Sequence, residues 1–280
     1  MRWNLGPVGD DSSETAWQAV SDQDTTAIEE PLEIRLHYGP AQQRVSRSLS
    51  ITMRTPGDDY ELAVGFLLSE GLIRRAADLL KHEPSFSTEA APSNVVRIVL
   101  SPDVVVEIEK LQRHFYTTSS CGLCGKASLE ALTHQGLKPV PAGAWRLKAG
   151  WIANLPHRMK ETQKVFATTG GLHAAGLFLA NGTLCELRED VGRHNALDKV
   201  LGRCLLDDRV PLSDSVLVVS GRTSLELVQK AVVAGVPVLA AIGAPSSLAV
   251  ACAQEFGVTL LGFLSKNRFN CYANPQRIEA

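Results

Sequence analysis

The stretch VLVVSGRTSLELVQKAVVAGVPVLAAIGAPSSLAVACAQEFGVTLLGF, residues 216–263, decides the fold. Three apolar runs, each short enough to be a buried strand, alternate with two segments of helical spacing that end at glycines. The predicted strands cover residues 216–219, 236–242 and 258–263, and the predicted helices cover residues 224–234 and 247–256. This order of strand, helix, strand, helix and strand predicts three parallel strands joined by right-handed crossovers.

The loops that follow the three predicted strands should meet at one edge of the sheet. They cover residues 220–223, 243–246 and 264–268, and open α/β sheets bind ligands at this carboxyl edge. Two of the loops open helices, whose N-terminal amides attract anions, and three cations, Arg222, Lys266 and Arg268, add positive charge. The sequence therefore predicts an anion site here. The alternative is that Ser220, Thr223 and Ser246 only cap helices.

The first half of the chain is predicted to be α+β and antiparallel. Residues 32–38 alternate apolar and polar side chains, as a half-buried strand does, and residues 45–53 read as its partner. A helix is expected over residues 61–72, with Asp58 and Glu61 at the spacing of a capping box. Residues 95–100 and 104–108 are predicted to form a hairpin.

The middle of the chain is predicted to lead into the second half through short helices and a hairpin. Helices are expected over residues 127–133, 155–166 and 191–205. The Asn181-Gly182 pair between residues 175–180 and 183–187 indicates a hairpin with a type I′ turn. The predicted organisation is a disordered acidic tail (1–30), an N-terminal α+β subdomain (31–118), a CxxC loop (119–126) and an α/β domain (127–280).

Composition limits the classes of protein that need to be considered. The chain has 280 residues, 45% of them hydrophobic, so a substantial core can form. A formal net charge of -2 argues against a general nucleic-acid binder. The acidic start is not a secretory signal, and no apolar run is long enough to cross a membrane. Six cysteines in a chain that needs no disulfides predict reduced thiols in the cytoplasm.

Two of these cysteines, Cys121 and Cys124, stand in the sequence SSCGLCGK. A helix predicted just after them, the adjacent Lys126 and the small glycines favour an exposed thiolate. Half of a zinc site is disfavoured because the sequence lacks a second CxxC, and no metal site is expected. A dithiol redox couple, a persulfide carrier and a buried structural pair all remain open.

His173 and residues 189–199 form two further candidate sites. Zinc deaminases carry an H-x-E motif and a P-C-x-x-C motif, but no glutamate follows His173 here and residues 220–223 contain no cysteine. If the fold is deaminase-like, the deaminase chemistry is therefore lost. His173 either contacts a ligand or is structural. The polar cluster at residues 189–199, which includes Arg193 and His194, either faces a bound cofactor or forms a capped helix with a solvated face; Asp190 is the candidate cap.

Taken together, these segments resemble the formate dehydrogenase accessory sulfurtransferases of the FdhD/NarQ family. The matching motifs span most of the chain beyond the tail and are far more specific than CxxC alone. They occupy residues 53–59, 70–73, 120–125, 169–173, 189–199, 220–230 and 262–272.

The resemblance implies a fold similar to cytidine deaminase, with a three-layer α/β/α sheet and a smaller α+β subdomain, in a homodimer. It implies that sulfur passes as a persulfide from a cysteine desulfurase to the molybdenum bis(molybdopterin guanine dinucleotide) cofactor, which is then inserted into formate dehydrogenase. Cys121 would carry the persulfide and Cys124 would assist it. The residues expected to contact the cofactor come from three parts of the chain: Phe263, Leu264, Ser265, Lys266, Asn267 and Arg268; Ser220, Gly221 and Arg222; and His173 and His194.

Two other functions are compatible with the residues. A dithiol oxidoreductase would form a reversible Cys121–Cys124 disulfide and turn over disulfide substrates. A non-catalytic nucleotide-binding chaperone would keep its ligand after both cysteines are lost.

Overall fold

The computed structural model describes residues 2–5, 17–80, 94–106, 137–141, 143 and 145–280. Cys121, Cys124 and the helix predicted over residues 127–133 lie outside the described residues.

The described helices and strands are numbered here in chain order. The helices are α1 (Asp59–Ser69), α2 (Ala149–Thr162), α3 (Lys164–Thr169), α4 (Arg193–Leu206), α5 (Leu225–Val233) and α6 (Ser247–Glu255). The strands are β1 (Arg2–Leu5), β2 (Trp17–Val20), β3 (Glu30–Tyr38), β4 (Val45–Arg54), β5 (Val95–Val99), β6 (Leu147–Lys148), β7 (His173–Leu179), β8 (Leu184–Asp190), β9 (Ser215–Val219), β10 (Val238–Ala241), β11 (Thr259–Ser265), β12 (Arg268–Ala273) and β13 (Ile278–Glu279).

A six-stranded sheet forms the centre of the second half, in the order β12-β11-β10-β9-β7-β8. Strands β9, β10 and β11 are parallel, as their spacing along the chain predicts. The outer strands β12, β7 and β8 are antiparallel to their neighbours. The central strands are continuously apolar because both faces of the sheet are covered.

Alternate residues of each central strand enter two different cores. Leu217, Val219 and Leu239 pack with helices α4, α5 and α6 on one face. Val216 and Val218 pack with α2 on the other face. Helices therefore cover both faces, giving the expected three layers; the closer likeness to cytidine deaminase stays a prediction.

The N-terminal sheet has the order β4-β3-β5 and joins the same core as α4. The predicted antiparallel pair of β3 and β4 is confirmed. The predicted hairpin does not form over the described residues: β5 pairs in parallel with β3, residues 104–106 are in no strand, and residues 107–108 lie outside the described residues. The parallel register places Ile98 beside Leu36, and both are fully buried, which explains the pairing.

Helix α1 begins and ends differently from the prediction. Asp58 has φ +56° and makes no side-chain cap; its carboxylate lies 3.4 Å from Arg188 Nε instead. At the other end, Leu72 N donates to Leu67 O and Gly71 N donates to Leu68 O, which is a Schellman motif. This motif ends the helix early and places Glu70 at the C-cap.

Helices α1 and α4 cross with their backbones in contact. A Cβ atom on Gly65 would lie 1.9 Å from the carbonyl oxygen of Asp198, and one on Gly202 would lie 1.8 Å from that of Glu61. Only glycine fits at either position. This crossing fixes the N-terminal half against the central sheet.

Three further predictions differ in detail from the structure. Strands β1 and β2 pair within the predicted disordered tail. The helix predicted over residues 155–166 begins earlier and divides into α2 and α3. The β7–β8 hairpin is confirmed, but Gly182 alone has a positive φ, so its turn is type I with a glycine bulge.

Candidate functional site at the carboxyl edge

Three loops meet where the parallel strands end. Backbone hydrogen bonds join them: Thr223 N donates to Ala244 O (3.1 Å), Gly243 N donates to Gly221 O (3.2 Å), and Phe263 N donates to Gly243 O (3.2 Å). We call residues 220–223, 243–246 and 263–268 the carboxyl edge. The predicted convergence of the loops is confirmed.

The third part of the edge is a hairpin rather than a loop. Strand β11 extends to Ser265 and pairs with β12 from Arg268, so only Lys266 and Asn267 form the turn. A register irregularity between Gly262 and Ser265 turns Phe263 outward, with φ +53° and 43% of its surface exposed.

Among the residues of this hairpin that were predicted to contact the cofactor, Leu264 is the exception. Its side chain is buried in the core on the α2 side of the sheet, so only its backbone can meet a ligand. Ser265, Lys266, Asn267 and Arg268 are exposed.

The three hydroxyl side chains that could cap helices have different roles in the structure. Ser220 Oγ accepts a hydrogen bond from Ala174 N (2.9 Å) and lies 3.3 Å from His173 Nδ1, so it joins the first loop to β7 rather than capping a helix. Ser246 does cap α6, through Ala249 N. Thr223 Oγ1 is buried and has no partner among the described residues.

Arg193 lies beside the first loop of the edge, whereas the sequence named it only within the polar cluster at residues 189–199. A Cβ atom on Gly221 would lie 3.2 Å from Arg193 Cδ and 3.4 Å from His173 Cε1, so this glycine lets both side chains approach the loop. Within the described part of the chain, the half-buried Arg193 guanidinium has no hydrogen bond, and its Nε is fully enclosed. Glu226 is close enough for the Arg193 charge to lower its pKa, but an enclosed Nε–H without a hydrogen bond is costly and indicates a place for an anion.

His173 is held neutral beside this cation. Burial lowers the pKa of His173, and the charges of Arg193 and His194 lower it further, while Asp190 acts in the opposite direction. A neutral imidazole can donate one hydrogen bond to an anion without adding charge. Arg222 is exposed at the same loop.

Most of the polar cluster at residues 189–199 has a structural role. Asp190 is fully buried, lies 2.8 Å from Lys199 Nζ, and accepts hydrogen bonds from Thr55 N and Asn195 Nδ2. Lys199 Nζ also donates to Thr55 O, and Asn195 Nδ2 to Met53 O. We call these residues the Asp190 network. Gly192, not Asp190, is the N-cap of α4.

A cavity of about 290 Å³ lies behind the edge. His194 lines it and also contacts the start of α5, with Nε2 lying 3.3 Å from Ser224 Oγ and 3.0 Å from Glu226 Oε2. The other walls come from β3, β4, α1 and α5. Its lining residues are Ile34, Ser50, Thr52, Leu62, Phe66, Ser69, Glu70, His194, Asn195, Asp198, Glu226, Gln229 and Lys230.

The family model for the FdhD/NarQ family matches residues 27–279. The chain belongs to the FdhD/NarQ family. Relatives named sulfur carrier protein FdhD include one from Streptomyces coelicolor, 50% identical over 91% of this chain and 89% of the relative. Another, from Sulfurisphaera tokodaii, is 44% identical over 93% of this chain and 94% of the relative.

The FdhD/NarQ assignment agrees with a solved structure. A crystal structure described as a formate dehydrogenase accessory protein from Desulfotalea psychrophila has a TM-score of 0.67 and 26% identity. The match covers 91% of each chain. The mixed α/β architecture is therefore shared with that protein.

Residues of this FdhD/NarQ protein that the structure describes contain no group of three or more His, Cys, Asp and Glu side chains that could hold a metal ion. Nor do they include a helix long and apolar enough to span a membrane.

Proposed function

We propose that this chain is a sulfur carrier that accepts persulfide sulfur from a cysteine desulfurase and delivers it to the molybdenum bis(molybdopterin guanine dinucleotide) cofactor. The cofactor would then enter formate dehydrogenase, whose activity would depend on this delivery. We further propose that the protein acts as a cytoplasmic homodimer. The name of its relatives, sulfur carrier protein FdhD, supports the role of sulfur carrier.

The observation that carries the proposal for the acceptor is the Arg193 guanidinium. It is half-buried, its Nε has no hydrogen-bond partner among the described residues, and its side chain lies beside Gly221 at the carboxyl edge. A guanine dinucleotide carries phosphates that would pair with this cation. Arg222, Lys266 and Arg268 would attract the polyanionic cofactor to the same edge.

Sulfur would reach the chain by thiolate exchange. The Cys121 thiolate attacks the outer sulfur of the desulfurase persulfide, forming a new sulfur–sulfur bond as the old one breaks. The desulfurase thiolate leaves, and Cys121 now carries the persulfide.

Delivery requires two electrons, because sulfane sulfur must become sulfide. Cys124 can supply them: its thiolate attacks the inner sulfur of the Cys121 persulfide, a Cys121–Cys124 disulfide forms, and the outer sulfur leaves as hydrosulfide for molybdenum. A cellular thiol reductant would then restore both thiols. The short spacing of the two cysteines suits this step.

Intact-mass measurement after incubation with a cysteine desulfurase and cysteine tests the carrier. We expect a gain of one sulfur atom that is removed by a thiol reductant and is absent from Cys121→Ala. Cys185→Ala is a matched control and should still gain it. If the wild type gains no sulfur but reduces disulfide substrates, the protein is a dithiol oxidoreductase. If it gains none and binds nucleotide without either cysteine, it is a chaperone.

A further inference from the structure

The cavity behind the carboxyl edge differs in charge from the edge itself. At the edge, Arg193 Nε has no hydrogen-bond partner among the described residues, although the Arg193 charge helps to lower the pKa of Glu226. Inside the cavity, the Lys230 ammonium is paired with Asp198 at 2.7 and 2.8 Å, and His194 is paired with Glu226 at 3.0 Å. Glu70 remains as an additional carboxyl group. A ligand that occupies both places therefore needs an anionic part outside and a part rich in hydrogen-bond donors inside.

Glu70 has acceptor atoms available for such a ligand. Its side chain lines the cavity at the C-cap of α1, where the Schellman motif fixes its backbone. Ser69 Oγ and Lys230 Nζ both donate to Asp198, so neither of these nearby donors is directed at Glu70. Burial raises the pKa of Glu70, which indicates that water is largely removed from this carboxyl group.

The remaining lining suits a flat heterocycle. Phe66, Leu62 and Ile34 supply an apolar wall, while Asn195 and Gln229 supply amide groups. Small-ligand sites commonly combine apolar walls with a few polar groups that fix orientation, and begin at about 300 Å³. The volume of about 290 Å³ is sufficient for one base.

We propose that this cavity is a base-recognition pocket in which Glu70 selects guanine. A guanine presents two adjacent donors, N1–H and the 2-amino group, which a carboxylate can accept together; adenine presents an acceptor at N1 and a single amino donor beside it. His194 lines the pocket and the preceding residue, Arg193, lies beside Gly221 at the edge, so the base would occupy the pocket while its phosphates remain at Arg193. This inference rests on the proposed cofactor and adds the residue that sets its specificity.

Calorimetry with GDP, IDP and ADP tests the pocket without any sulfur chemistry. IDP lacks only the 2-amino group, so the wild type should bind GDP about tenfold more tightly than IDP, and ADP more weakly still. Glu70→Gln should remove most of the preference for GDP over IDP. Glu255→Gln, an exposed carboxylate on α6, is the matched control and should preserve the preference.

The contribution of Arg193 to phosphate binding is measured in a separate experiment. Arg193→Met should weaken all three nucleotides and inorganic pyrophosphate by a similar factor, leaving the GDP-to-IDP ratio unchanged. Arg203→Met on the same helix is the control, because its side chain is 42% exposed and pairs with Asp207. Thermal melting of each variant checks that it is folded.

Two outcomes would overturn the inference: wild-type protein that binds GDP and IDP equally, or Glu70→Gln protein that retains the wild-type ratio. The first needs no variant and so does not depend on the folding of one. Sulfur loading of Cys121 is measured by intact mass and does not depend on either nucleotide-binding result. If loading succeeds and base selection fails, the carrier function stands and only the pocket is wrong.

Discussion

Lys199 Nζ lies 2.8 Å from Asp190 Oδ2, and the two side chains are almost completely enclosed. The pair joins the middle of α4 and the end of β8 to the segment that follows β4, because Lys199 also donates to Thr55 O at 2.9 Å. Removing one member would leave the other charge buried without a partner.

Lys199→Met is therefore expected to lower the free energy of unfolding by about 3–5 kcal/mol. Urea denaturation followed by circular dichroism measures the loss. Arg203→Met breaks an exposed pair on the same helix and should cost no more than about 1 kcal/mol. Similar losses in the two variants would contradict a structural role for the Asp190 network.

Gly65→Ala should destabilise the protein because its added methyl group would overlap the backbone of α4. We expect a loss of about 1–3 kcal/mol, measured by thermal or urea unfolding. Gly150→Ala is the control, since that glycine lies in α2 with open space around its Cβ position. That variant should be neutral or slightly more stable, because alanine favours helix. Equal stability of both variants would mean that α1 and α4 do not cross as described.

Two cysteines should resist modification in the folded protein. Burial raises the pKa of the Cys204 and Cys252 thiols to about 12 in each case, so almost no thiolate is present at pH 8. Native alkylation with iodoacetamide at pH 8, followed by peptide mass mapping, should leave both unlabelled until denaturant is added. The half-buried Cys185 is the internal comparison and should react faster. Prompt labelling of Cys204 would argue against the packing of α4.

The titration of His173 reports on Arg193. Burial is the largest cause of its lowered pKa and the Arg193 charge is the next. Removing a positive charge favours the protonated imidazole, so Arg193→Met should raise the pKa of His173 towards its ordinary value of 6.5. NMR titration of the His173 ring proton measures the change. Arg203→Met should leave it unchanged, and so should Arg193→Met if the two side chains are not neighbours.

The lowered pKa of His173 also makes the stability of the protein depend on pH. The unfolded chain binds a proton at His173 more readily than the folded chain does. Stability from this residue is present above the unfolded pKa and is lost as pH falls through the folded one. Arg193→Met should make that loss smaller, which urea midpoints at pH 7.5 and pH 5.5 would detect.

Local patterns were sufficient to predict the sheet that positions the site. The continuous apolar runs at β9, β10 and β11 and the helices between them determine the parallel order, and that order determines which loops meet. The same reasoning failed for β5, because its partner is chosen by the burial of Ile98 beside Leu36, two residues far apart in the chain.

The Asp190 network and the cavity could not be predicted for a related reason. Thr55 and Asp190 are separated by 135 residues, and no spacing rule links them. The sequence named Arg193 as part of a cluster that could face a cofactor, but it left a solvated helix face as an equal alternative. The importance of Arg193 depends on whether the side chains around its guanidinium offer hydrogen-bond acceptors, and those neighbours are brought together only by folding.

The glycine contact between α1 and α4 has a consequence for the size of what the cavity admits. Glu70 extends from the end of one helix, and Asp198 and His194 project from the other. Because the peptide groups of the two helices touch at Gly65 and Gly202, the helices cannot slide or come closer together. The width of the cavity opening between them is therefore fixed. A ligand must fit this width, because the crossing prevents α1 and α4 from adjusting their positions to it.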